Sequence, residues 1–141
     1  MYNKILLPTD GSEISHHEVE RAKGMLSEDG EIIILAVVSK IEANTPFHNK
    51  DTVKSMNEGL EKEAQTNVEH MASLFDNDVK LKKLIVEGIP SETIIDVAEK
   101  EDVDLIIIAS SSQSHLHKYF IGRVAERVVK GTEKDVLLIH N

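Results

Sequence analysis

The 141-residue sequence predicts one α/β domain, residues 1–141. It should hold a single five-stranded parallel sheet in the order 3-2-1-4-5, with helices on both faces. Three observations predict it. Short apolar runs are continuous rather than alternating and rich in β-branched residues, as in strands covered on both faces. Segments of helical period separate these runs. The resulting order, βαβαβαβαβ, calls for right-handed crossovers that leave the strands parallel.

The first run is Ile5–Leu7. A helix follows over Ser15–Leu26, with Val19, Ala22 and Leu26 on one stripe and Ser15 with Glu18 as a capping box. The second strand is Ile32–Val38. Between about Asp51 and Phe75, Val53, Met56, Leu60, Ala64, Val68, Met71 and Phe75 recur at helical spacing. Lys80–Val86 is a mixed strand ending in Leu84, Ile85 and Val86. Pro90 suits the first turn of a third helix carrying Ile94, Ile95 and Ala98. Leu105–Ile108 is the fourth strand. A last helix carries Ile121, Val124, Ala125, Val128 and Val129, with Gly131 as its expected C-cap. Val136–Ile139 closes the sheet.

Composition removes several functions. Sixteen basic against twenty-five acidic residues give a net charge of −9, which repels nucleic-acid backbones and anionic lipid heads. With 4% aromatic residues and no Trp, there is no base-stacking platform to expect. The absence of cysteine excludes disulfides and thiolate metal sites. No apolar run approaches the ~18 residues of a membrane span, and the start lacks a signal-peptide layout. A cytoplasmic protein is the expectation.

Topology locates the site. In an open α/β sheet the ligand crevice lies beyond the carboxyl ends of the strands where their order reverses, here between the first and fourth. The turn Pro8-Thr9-Asp10-Gly11-Ser12 and the loop from Ala109 through Ser110, Ser111, Ser112, Gln113 and Ser114 to His115 should wall it. Neither G-x-G-x-x-G nor a Walker-type P-loop is present. Asp10 can accept hydrogen bonds from a ribose or hold a divalent ion through water, or it can cap its own turn. The serine-rich loop can receive an anion, helped by the helix that follows, or be a solvated turn. Ser39–Lys50, with Pro46, reads as a lid or as an exposed crossover. His16 and His17 point about 100° apart on a helix, His115 and His117 share a face only if extended, and His48, His70 and His140 stand alone, so no metal site is assigned. No G-x-S-x-G elbow places Ser112 and His115 with Asp10 as a triad, so no catalytic residue is assigned and an enzyme is not the expectation.

The run Tyr2-Asn3-Lys4-Ile5-Leu6-Leu7-Pro8-Thr9-Asp10-Gly11-Ser12 resembles the opening of the universal stress protein family. Val37-Val38, Val86-Glu87-Gly88-Ile89-Pro90, Val103-Asp104-Leu105-Ile106-Ile107-Ile108 and Phe120-Ile121-Gly122-Arg123-Val124-Ala125 continue the likeness in order. The resemblance implies an adenine nucleotide alpha hydrolase-like fold and a stress-response regulatory role. It also implies a crevice that takes ATP or another adenine nucleotide, with Mg entering only with the nucleotide. Pro8, Thr9, Asp10 and Val37 correspond to positions flanking adenine and ribose. Ala109, Ser110, Ser112, Gly122, Arg123 and Val124 correspond to the phosphate loop. There the family's G-x-x-G, nine residues, G, then Ser or Thr is altered: Ala109 and Ser112 replace two glycines, Gly122 is kept, and Arg123 replaces the hydroxyl residue. Serine at a positive-φ position carries strain of about 1 kcal/mol or more. Arg123 can offer a charged fork to phosphate or fill its space. One branch of the family lacks the glycine motif and does not bind ATP, which leaves open a protein-interaction module with a vestigial crevice. Relatives pair through the last strand, which implies a homodimer through Val136–Ile139.

Overall fold

The computed structural model describes residues 1–11, 15–42, 49–110 and 122–140. The strands are β1 (Tyr2–Pro8), β2 (Leu26–Val38), β3 (Lys80–Glu87), β4 (Leu105–Ala109) and β5 (Asp135–Ile139). The helices are α1 (Ser15–Met25), α2 (Lys50–Ser73), α3 (Pro90–Lys100) and α4 (Arg123–Gly131). All strand pairings are parallel, in the order β3-β2-β1-β4-β5, as the sequence predicts.

The pleat explains why the apolar runs are continuous. Successive side chains point to opposite faces. Ile5, Leu7, Ile32, Ile34, Leu105 and Ile107 point to one face, under Val19 and Ala22 of α1 and Val68 and Met71 of α2. Leu6, Ile33, Leu35, Ile106 and Ile108 point to the other, under Ile94, Val97 and Ala98 of α3 and Ala125 and Val128 of α4. Both faces are covered, so a polar residue at any of these positions would be stranded in a core.

Several element ends differ from the sequence expectation: β1 begins at Tyr2, α2 stops at Ser73 before Phe75, and two further differences have a clear cause. Leu26 begins β2 instead of ending α1, and β2 reaches back across the polar stretch before Ile32. Backbone pairing rather than side-chain pattern holds that stretch: Leu26 pairs with Tyr2, and the register shifts between Tyr2 and Lys4. The Ser27 hydroxyl also donates to Asn3 Oδ1 at 2.7 Å. Gly131 is the last residue of α4 rather than its cap, which is Thr132. A Cβ at Gly131 would lie 2.7 Å from Ile95 Cδ1, so glycine there serves the close approach of α4 to α3. For the Ser15–Glu18 capping box, the Ser15 side chain lies outside the described residues, while Glu18 is buried.

Candidate functional site

The site begins with a divergence of two strands. β1 and β4 pair only at Ile5↔Leu105 and Leu6↔Ile106. Beyond that rung β1 continues with β2 as far as Pro8↔Leu35, while β4 continues with β5 as far as Ala109↔Ile139. At their opposite ends the two are clamped, because Asp104 Oδ2 accepts from the backbone N–H of Asn3 at 2.9 Å and Lys4 at 3.0 Å. The sheet therefore opens like a hinge at its carboxyl edge, at the switch point.

A cavity of about 470 Å³ fills the opening. That lies within the range of small-molecule sites. Pro8, Thr9 and Asp10 of the β1 end and Val37 of β2 line it, as do Ala109 and Ser110 of the β4 end. Gly122, Arg123 and Val124 at the start of α4 complete the set, so nine of the ten sequence-nominated residues share one cavity. The tenth, Ser112, lies outside the described residues, with Ser111, Ser114, His48, His115 and His117. Ser39 lines the cavity, whereas residues 43–48 of the adjoining connection lie outside the described set.

Local chemistry fixes these walls. The Thr9 N–H donates to the Leu35 carbonyl at 2.8 Å, tying the turn to β2. Thr9 Oγ1 accepts from the Gly11 N–H at 3.2 Å. Gly11 has φ +81°, and a Cβ there would lie 2.6 Å from Asn67 Oδ1 on α2. The positive φ is what favours glycine there, since the Asn67 amide is the far end of a side chain and can turn away. Ser110 is spent on structure: its N–H donates to the Ile139 carbonyl at 2.8 Å and its hydroxyl to the same oxygen at 3.2 Å. Gly122 is the N-cap of α4 with φ −57°, a torsion open to any residue, and it provides no side-chain cap. The first N–H groups of α4, from Arg123 to Ala125, thus begin at the cavity wall without a side-chain acceptor. Arg123 is exposed at the same helix end.

Sequence reasoning missed the α1 and α2 side of the cavity. Glu18 lines it at 3% exposure. Burial, and then the nearby Asp10 charge, push its carboxyl up to about 8. Glu63 and Asn67 of α2 line the same wall. The available signal was position: Glu18 lies four residues before Ala22, on the edge of the inward stripe. Among the described residues no group of three or more His, Cys, Asp or Glu side chains is placed to hold a metal ion. Among them, too, no helix is long and apolar enough to cross a membrane.

A doubly wound parallel sheet with a mainly apolar, partly polar crevice at its switch point defines the class of α/β ligand-binding domains. Within that class the chain belongs to the universal stress protein family, whose model matches residues 1–140. It is similar to universal stress protein MJ0577 of Methanocaldococcus jannaschii, at 33% identity over 99% of this chain and 95% of that protein. The solved structure of MJ0577 matches it with a TM-score of 0.85 at 32% identity, covering 100% of this chain and 97% of that one. A family member from Arabidopsis thaliana, solved with AMP bound, shares the fold with a TM-score of 0.70 at 16% identity, over 99% and 92% of the two chains.

Proposed function

We propose that this universal stress protein is a cytoplasmic, homodimeric regulator that binds an adenine nucleotide in the switch-point crevice. The observation carrying this is the divergence of β1 from β4, which sets the Asp10 turn opposite the uncapped start of α4 across one cavity. Pro8, Thr9, Asp10 and Val37 take the nucleoside. Gly122, Val124 and Arg123 take the phosphates, through the α4 backbone N–H groups and the Arg123 guanidinium. Ala109 and Ser110 shape that end, the Ser110 donors being committed to Ile139. Mg enters only as a companion of the phosphates. The AMP held by the Arabidopsis relative supports the ligand class.

Equilibrium binding of ATP, AMP and adenosine tests this. A hydrogen bond to a charged group contributes about 1.5–3 kcal/mol. Arg123→Ala should therefore weaken ATP binding about 10- to 100-fold and leave adenosine unchanged. The competing assignment, an interaction module with a vestigial crevice, is favoured by the loss of Ser110 as a phosphate donor. It predicts no thermal shift with any adenine nucleotide, and that result would exclude nucleotide binding.

The dimer is proposed through β5. Val136, Leu137 and Leu138 are half-buried on an edge strand, which is a hazard for uncontrolled pairing unless covered. Sedimentation at micromolar concentration should return twice the 15.7 kDa chain mass. A single-chain mass under those conditions would refute the pairing.

A further inference from the structure

We propose that Glu18 is a specificity-determining residue of the crevice, its carboxyl donating a hydrogen bond to an acceptor atom of a nucleoside seated against Thr9 and Asp10. This rests on the adenine-nucleotide assignment above and extends it to a residue outside those that the family resemblance nominated.

Geometry supplies the first part of the case. Glu18 stands in the first turn of α1, and its side chain is 3% exposed while lining the cavity. A carboxyl so buried yet bordering an open cavity has one accessible direction, into the space a ligand would fill. The second part is the chemistry of that wall. Asp10 and Glu63 bring acceptor-only carboxylates to it, and Asn67 brings an amide. Adenosine presents both donors and acceptors: its amino group and hydroxyls suit the carboxylates, but its ring nitrogens and ring oxygen need donors. A protonated carboxyl supplies an O–H donor beside a C=O acceptor. Burial holds the Glu18 carboxyl in that form at neutral pH.

The charges around Glu18 agree with this state. From the turn after β1 comes Asp10, and from α2 comes Glu63, both negative. Among the described residues lining the cavity, the cationic group is Arg123, at the start of α4. β2 and β4 bring only uncharged residues to the cavity. On α1 itself His17 and Arg21 are exposed to solvent. A second full negative charge at Glu18 would lie beside Asp10 in a poorly solvated place, and a ligand acceptor would then face an acceptor.

The experiment is calorimetric titration of adenosine into the wild-type protein and Glu18→Gln from pH 6 to 9, with thermal melts confirming that both stay folded. Adenosine is chosen because it stays neutral over this range, whereas the phosphate of AMP titrates within it. Wild-type affinity should fall about tenfold between pH 7 and 9 as the donor is lost. Glu18→Gln keeps an N–H donor that does not titrate, so its affinity should be flat over the same range. Binding that is equally flat in both proteins would overturn the role of Glu18 and leave the nucleotide assignment standing. Failure of both proteins to bind adenosine, AMP or ATP at any pH would overturn the nucleotide assignment, and this inference with it.

Discussion

Raising the pH from 5 to 8 should destabilise the ligand-free protein by several kcal/mol, and Glu18→Gln should remove most of that loss. The folded carboxyl is pushed from 4.5 to about 8 by burial and then by Asp10. The folded state therefore holds a proton that the unfolded chain releases. Below pH 4.5 both states are protonated and the contribution is fully present. As pH rises towards 8 the unfolded chain gains from ionising and the folded one does not, so stability falls. Above 8 both are ionised and the slope vanishes. Each tenfold change in ionisation corresponds to about 1.4 kcal/mol, so the loss is on the order of 4 kcal/mol. On the acid side the slope reverses. Lys134 beside Asp102 and Lys130 beside Glu126 hold those carboxyls below their usual range. Their contribution is lost as the pH falls, and it is small because both pairs lie at the surface. Urea denaturation at pH 5, 6, 7 and 8 measures the slope directly. Parallel curves for the wild type and Glu18→Gln would show that Glu18 ionises freely in the folded protein.

The same residue shows where the sequence was legible and where it was not. Ile5–Leu7, Ile32–Val38 and Leu105–Ile108 announce themselves because each side chain enters one of two cores, leaving no polar alternation. Once these are strands, the crossover rule and the switch point locate the crevice without any motif. That is why Asp10 and Ser110, far apart in the chain, could be assigned to one site; Arg123 was added by the family resemblance. Glu18 could not, because a glutamate in a first helical turn has an ordinary solvent-facing role at the helix N-terminus. Its burial depends on how α1 sits over the opening between β1 and β4. The early start of β2 at Leu26 was hidden for a related reason: main-chain pairing to Tyr2 holds it, and main-chain pairing carries no side-chain signature. Ser110 looked like a phosphate donor in the sequence, and only the position of Ile139 shows where its hydrogens go.

Leu6→Ala should cost about 3–5 kcal/mol, the upper part of the range for such truncations. Leu6 is fully buried and pairs with Ile33 on one side and Ile106 on the other. Its side chain packs in the cluster under α3 and α4, with Ile94, Val97, Ala125 and Val128. Backbone pairing to both neighbours stops the strand from moving into the vacated space, so the cavity stays open and its cost is paid in full. Leu84→Ala on β3 makes the comparison: that side chain is only half-buried against the same cluster, and about 1 kcal/mol is expected. Urea midpoints at unchanged m-value give both numbers. A loss below about 1 kcal/mol for Leu6→Ala would mean that α3 and α4 do not cover this face. The Leu6↔Ile106 rung is also the last before β1 and β4 part. A ligand stabilises the folded state by an amount set only by its concentration and its affinity for that state. If the crevice is held by the strand ends and their ties to Leu35 and Ile139, saturating ligand should raise Leu6→Ala and wild type by the same increment. A smaller increment in Leu6→Ala would instead make this rung the hinge on which the binding site is set.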